Sequence, residues 1–240
     1  MFFIRIPKQS AESAELSLIK SAKSGLDFLK SHKQVLMLIM YLSAINLVAS
    51  MYEAVLPAMV LSRKGGGTQA LGAVSTCVGV ATLIGSIIAT LMPKPKSRRR
   101  VICLSLLFSM STENFFLAFG QTPLLWCTGA VLGWILIPMM SANLDVIMRT
   151  KAPCDMQGRV YSARNTLQFF TIPLGNFLGG LAVDTFAEPL MAAMPHNSLM
   201  CNIFGSGKGS GAALIFFIIG IMGVAVCLIF NSNKHIKEIE

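Results

Sequence analysis

The sequence predicts an all-α polytopic membrane protein with six transmembrane helices, and three observations carry that prediction. The composition is 54% hydrophobic and only 13% charged, with a mean hydropathy of +0.65, whereas a soluble domain carries about 25% charged residues. Six stretches are apolar over the roughly 20 residues that a helix needs to cross a bilayer. The basic residues collect in alternate gaps between those stretches, as the positive-inside rule demands. Helices satisfy their own backbone groups in hydrocarbon, which loops and open sheet edges do not.

Taken in order, MFFIRIPKQ opens the chain. Its apolar patch is too short for a signal-peptide core and no small-residue cleavage site follows, so no signal peptide is expected. Residues 11–33, AESAELSLIKSAKSGLDFLKSHK, place Leu16, Ile19, Leu26 and Leu29 at helical spacing with lysines between them. That pattern predicts an amphipathic helix lying on a membrane face. The spans follow at 34–61, 69–92, 101–120, 124–147, 166–186 and 212–230, the fifth being the least hydrophobic. The division is therefore a cytoplasmic linker at 1–33, a six-span domain at 34–231 and a cytoplasmic tail at 232–240. Pro57, Pro138 and Pro173 predict kinks within spans. Gly72, Gly79, Gly85, Gly129, Gly133, Gly175, Gly179 and Gly180 predict close helix contacts, Gly175 and Gly179 forming a GxxxG.

With both termini in the cytoplasm, the inner side holds Arg5, Lys8, Lys20, Lys23, Lys30, Lys33, Lys94, Lys96, Arg98, Arg99, Arg100, Arg149, Lys151, Arg159, Arg164, Lys234 and Lys237. These are 17 of the 20 Lys and Arg; Arg63, Lys64 and Lys208 fall outside. The net charge of +9 is thus a topology signal for a cell (plasma or inner) membrane protein, and no nucleic-acid partner is expected. Cys154 then lies on the inner side, and Cys201 in an outer loop open to an impermeant thiol reagent.

The gap between the fourth and fifth spans reads PCDMQGRVYSARN. Pro153 stops the fourth helix, Asp145 and Arg149 stand four apart in the order that favours a helical ion pair, and Gly158 allows a tight turn. Composition alone describes either a solvated surface loop or a functional hinge.

Several motifs are set aside. GSGKGSG at 205–211 lacks the spacing of a phosphate-binding loop and has Gly209 where Ser or Thr would follow Lys208. The six cysteines (Cys77, Cys103, Cys127, Cys154, Cys201, Cys227) show no CxxC pair, and His32, His196 and His235 all lie outside the spans. No Ser-His-Asp or metal-ligand arrangement is visible, so neither an enzyme nor a prosthetic cofactor is expected. Glu53 in ASMYEAVLPAM and Glu113 in FSMSTENFF each lie well within a span. Such groups are costly in hydrocarbon and mark a pathway or proton relay, or else they sit close enough to the outer interface to be solvated. Asn46, Asn114, Asn143, Asn165, Gln168 and Asn176 line a polar cavity or join helices to one another.

The stretches SANLDVIMRTKAP and DMQGRVYSARNTLQFFTIPLGNFLGGLAVD resemble the inner loop between the tenth and eleventh helices of major facilitator superfamily transporters, most of all the drug-efflux branch that includes macrolide exporters. The matching positions are Asn143, Pro153, Gln157, Gly158, Arg159, Val160, Gly179, Gly180 and Asp184. GSIIATLMPKPKSRRR is similar to the superfamily's basic loop between the eighth and ninth helices at Gly85 and Arg98 to Arg100, without its acidic residue and later glycine. FFIRIPK resembles the end of a sixth helix and 11–33 the inner linker between two six-helix halves, so the resemblance covers nearly the whole chain and implies one half of a major facilitator fold, the C-terminal one. It implies a proton-coupled antiporter exporting an amphipathic drug-like small molecule by alternating access, a drug-resistance activity. Its partners would be the lipid bilayer, protons, the substrate and an N-terminal six-helix half or a second copy. Glu53 and Glu113 become the proton-coupling candidates, and Asn143, Asp145, Arg149, Gln157, Gly158 and Arg159 the inner gate or hinge. The alternative is a truncated relic or a membrane interaction subunit that transports nothing. A channel would show a filter segment or a ring of charges, and neither is present in the sequence.

Overall fold

The computed structural model describes residues 18–154, 156–195 and 197–238. FFIRIPK, Leu16, Asp155 and His196 lie outside the described residues, as does the side chain of Ile19. The elements are α1 (Leu18–Ser31), α2 (Lys33–Ser62), α3 (Thr68–Leu91), α4 (Arg98–Phe119), α5 (Pro123–Trp134), α6 (Ile137–Lys151), α7 (Gln157–Phe169), α8 (Thr171–Leu181), α9 (Glu188–Ala192), α10 (Leu199–Phe204), α11 (Ser210–Ser232) and α12 (Lys234–Lys237), with a π-helical turn, Ala182–Ala187, between α8 and α9. Among the described residues there is no strand. Six units are long and apolar enough to cross a membrane: α2, α3, α4, α5 with α6, α7 through α9, and α11.

Local chemistry sets the ends. Met92 and Ala152 are extended, as residues ahead of Pro93 and Pro153 must be, and each terminates its helix. Ser97 caps α4, its hydroxyl accepting from the Arg100 N–H at 3.2 Å. The helix therefore starts at Arg98, and the three arginines form its first turn rather than a loop. The long segments break where proline withdraws an N–H and crowds the carbonyl four residues back. α5 ends at Trp134, four before Pro138, and α7 ends at Phe169, four before Pro173. Pro57 leaves α2 continuous.

The hinge needs correction. Among the described residues of this stretch only 152–154 and 156 are non-helical; α7 begins at Gln157 and carries Arg159, Arg164 and Asn165 in regular helix. Gly158 therefore makes no tight turn, and its φ is not positive. Asp145 does not pair with Arg149 on its own helix. It accepts instead from Arg164 across to α7 at 3.4 Å, because Arg149 lies on the exposed side of the last turn of α6. Cys201, on α10, is buried (6% exposed), so it is not open to a thiol reagent; Cys154 is exposed.

α1 packs on α7. Its inward face is Gly25, Leu29 and the half-buried Phe28, whereas Leu26 points outward. Gly25 makes this approach possible, since a Cβ there would lie 2.6 Å from the Arg159 carbonyl oxygen.

The first three spans (α2, α3, α4) meet the last three (α5 with α6, α7 with α8, α11) reciprocally. α2 packs on α8 as α3 packs on α5 and α6. α4 packs on α11, and α2 touches α11 as α4 touches α5 and α6. The GxxxG of α8 forms the first of these contacts, with Gly175 against Leu47 and Ser50 and Gly179 against Met51. Gly85, Gly129 and Gly133 also face neighbouring helices. Gly72, Gly79 and Gly180 do not: a Cβ at any of them meets nothing within 4 Å. α3, α8 and the residue before α8 present Leu83, Ile87, Phe177 and Phe170 outward, an apolar perimeter suited to lipid or to another helical surface.

Candidate functional site

Two of the membrane-length helices contribute matching stripes to one cavity of about 190 Å³. α2 supplies Ile45, Asn46, Ala49, Tyr52 and Glu53, and α4 supplies Leu106, Ser109, Met110, Glu113 and Asn114. Each set has the i, i+3 or i+4, i+7 spacing of a single helix face. The break between α5 and α6 brings Trp134, Ile137 and Met140 to the third side. Glu53 and Glu113, 60 positions apart in the chain, thus line the same cavity.

Their surroundings differ. Glu53 is exposed at the rim. Glu113 is 4% exposed, and its Oε1 accepts from the Trp134 indole N–H at 2.8 Å. Solvation at an interface, one of the two sequence readings, does not describe Glu113. The carboxyl has room because residue 133 is glycine; a Cβ there would lie 2.6 Å from Glu113 Cβ and 2.7 Å from Oε2. Asn114 Oδ1, also at the cavity, is buried without a hydrogen-bond partner, and the buried Tyr52 hydroxyl faces the Glu113 carboxyl. The Asn114 amide donates to the Met110 carbonyl at 2.8 Å. A carboxyl, a phenol and an amide oxygen thus converge on a small space walled by methionine, isoleucine and tryptophan. In such a low dielectric one unit of charge is felt strongly.

Asn46, a polar lining residue, also joins helices. Its amide donates to the Gln168 carbonyl at 3.2 Å, and the Ser43 hydroxyl donates to the Leu167 carbonyl at 2.9 Å. These carbonyls sit at the α7–α8 break, where the helix ladder is interrupted and another donor is needed.

The predicted gate residues cluster at the basic end. Asn143 is buried; its Oδ1 accepts from Arg98 at 3.1 Å and its amide donates to the Met139 carbonyl at 2.8 Å. Gln157 reaches back to the Ala152 carbonyl at 3.5 Å, and Arg159 donates to Ser24 of α1 at 3.4 Å. Arg164 holds both Asp145 and Gln168, the latter at 3.1 Å, with its guanidinium over the Tyr161 ring. At the opposite end Arg63 ties two turns together, donating to the Gly120 carbonyl at 2.6 Å and to the Phe204 carbonyl. Burial pushes the Arg63 guanidinium below its ordinary value, with Glu188 acting the other way. Among the described residues no group of three His, Cys, Asp or Glu is placed to hold a metal.

Sequence reasoning missed Trp134, Tyr52 and Arg164 as partners. Only the Gly129–Gly133 pair, a second GxxxG ending one residue before Trp134, signals that α5 lies against another helix there. Comparison of the chain with protein-family models, with curated proteins and with solved structures finds no match, so the resemblance to a transporter family rests on the residues quoted above.

Proposed function

We propose that the chain is the C-terminal half of a drug/macrolide-type facilitator, a proton-coupled antiporter that exports an amphipathic compound by alternating access. One observation carries the proposal: Glu53 and Glu113 line a single cavity inside a bundle of membrane-length helices, the first open at its rim and the second enclosed with Trp134. Ionisable side chains in such a position are expensive and are kept for pathways. The reciprocal packing of the two helix trios supports the same reading, since inverted repeats that flank a central site are the architecture of secondary transporters. In this scheme Glu113 carries the proton and Glu53 meets it at the rim. The apolar wall takes the substrate body, and the Asp145–Arg164 and Arg98–Asn143 contacts hold the basic, cytoplasmic end closed. A non-transporting interaction subunit is the second reading, favoured by the outward apolar faces of α3 and α8.

The test is dye export from cells that express the chain together with a related six-helix N-terminal half. Co-expression should lower accumulation of an amphipathic cationic dye below that of cells expressing the chain alone. Glu113→Gln should return it to the empty-vector level without changing the amount of protein in the membrane. Normal pH-dependent export by both Glu113→Gln and Glu53→Gln would remove these residues from the mechanism, and absence of export with any partner half would favour the interaction subunit.

A further inference from the structure

A second pair of hollows, away from the glutamate cavity, follows α4. At the basic end a cleft of about 190 Å³ is bounded by the end of α3, the following loop, the start of α4 and α6, with Lys94, Arg98 and Asn143 among its walls. Beside it runs an apolar groove of about 480 Å³ walled by Leu104, Leu107, Phe108 and Leu136. The two share Val101 and Met139, so they form one channel that is basic at one end and apolar along the rest.

We propose that this channel is a binding site for an anionic phospholipid, with the headgroup phosphate on Lys94 and Arg98 and one acyl chain lying along α4.

The dimensions match. From Arg98 to Ser111 the lined stretch of α4 runs about 20 Å at ~1.5 Å per residue, and one leaflet contributes about half of a ~30 Å hydrocarbon layer plus the headgroup. The channel therefore begins where a phosphate lies and ends near the bilayer midplane. The chemistry matches as well. Lys94, Lys96, Arg98, Arg99 and Arg100 fall within seven positions without an acid among them, and among the described residues no carboxylate lines either hollow. Arg98 is oriented over the cleft by its bond to Asn143 Oδ1 at 3.1 Å, which uses one N–H and leaves the rest of the guanidinium fork for a phosphate. Leu104 is 61% and Phe108 39% exposed, one turn apart on the groove wall, so no other described part of the chain covers this face. The proposal concerns a lipid bound at the perimeter and stands whether or not the chain moves any compound.

Native mass spectrometry of the purified full chain, titrated with phosphatidylglycerol or phosphatidylcholine, tests it. The chain should retain phosphatidylglycerol in preference. A basic side chain at a membrane surface is worth about fivefold in affinity for anionic lipid, so Lys94→Gln with Arg98→Gln should weaken retention about thirtyfold. Lys96→Gln with Arg100→Gln removes the same charge outside the cleft and should cost less than about fivefold in total. Leu104→Trp fills the groove without touching charge and should also weaken retention. Equal losses for the two charge pairs would reduce the effect to a general basic surface and overturn the site. Displacement of lipid by millimolar inorganic phosphate, with Leu104→Trp behaving as the unaltered chain, would show an anion site with no acyl groove and would equally sink the proposal.

Discussion

Gly133→Ala should destabilise the bundle through Glu113, and the size of the effect follows from the packing. The new Cβ would sit 2.6 Å from Glu113 Cβ and 2.7 Å from Oε2, against an ordinary carbon–carbon contact of about 3.5–4.0 Å. Glu113 Cβ is anchored to the α4 backbone and has no freedom to swing away. Either α4 and α5 separate or the carboxyl turns out of reach of the Trp134 indole, which donates to it at 2.8 Å. Overpacking of this kind costs about 1–3 kcal/mol, and a buried carboxyl that loses the indole donor adds about 1–3 kcal/mol more. At about 2–4 °C per kcal/mol for a chain of this length, the midpoint should fall by roughly 4–24 °C. Thermal unfolding in detergent, followed with a thiol-reactive dye that reports exposure of the buried Cys103 and Cys227, measures it. Gly79→Ala is the matched control: its Cβ meets nothing within 4 Å, and replacing glycine in a helix interior gains up to about 1 kcal/mol. If Gly133→Ala melts with the unaltered chain, or if Gly79→Ala falls as far, the close approach of Gly133 to Glu113 is wrong.

Two further outcomes are expected. Arg63→Ala leaves the Gly120 and Phe204 carbonyls without their charged donor, a loss of about 1.5–3 kcal/mol per bond; hydrogen exchange at the amides of 204–209 should accelerate at least tenfold, and unchanged exchange would show that the two turns hold without it. For orientation, Cys154 should react with an impermeant maleimide only after the cells are permeabilised, while Ser206→Cys, exposed in the turn before α11, should react in intact cells. The opposite pattern would reverse the sidedness argued from the basic residues.

The helical spans were legible because they answer to one quantity, apolar length, and the boundaries of α2 and α3 fall within a residue of those expected. The ends that moved are those where local hydrogen bonding outweighs polarity. Ser97 caps α4 and draws three arginines into helix, and α7 continues through QGRVYSARN because nothing there prevents a helix once Pro153 has been passed. A polar stretch between apolar ones reads as a loop, yet a helix extending beyond the hydrocarbon has the same composition. The glutamates could be singled out by their cost in a membrane, but not their difference in burial, because enclosure of Glu113 depends on how α5 packs against α4. Trp134 could not be assigned to Glu113 either, because helical periodicity within one span does not fix which face it turns to the next. Ion pairing was misread because Asp145 has two basic neighbours, one four positions away on its own helix and one on α7. Only the three-dimensional packing turns it toward the second.

The relation between the two trios rests on a recurring device. In each of the two related contacts, a glycine on the middle helix of one trio lets it touch the backbone of the first helix of the other. Gly175 of α8 lies against the Leu47 carbonyl of α2, where a Cβ would stand 2.4 Å away, and Gly85 of α3 lies against the Ile135 carbonyl at the α5–α6 break, where a Cβ would stand 2.1 Å away. The contacts are alike in steric terms and unlike in hydrogen bonding. α2 is continuous and spends side chains on its partner: Ser43 and Asn46 donate to the carbonyls of Leu167 and Gln168, and the Thr171 hydroxyl donates back to the Ser43 carbonyl at 3.1 Å. Both proline breaks, at Pro138 and Pro173, lie in the second trio. A shift of α7 and α8 along α2 therefore has to exchange directed hydrogen bonds, each worth about 0.5–1.5 kcal/mol, whereas a shift of α3 along α5 and α6 meets mainly close packing. The two halves of the bundle share a contact plan without sharing its stiffness, and the helices that border the glutamate cavity, α2, α4 and the α5–α6 break, include members of both.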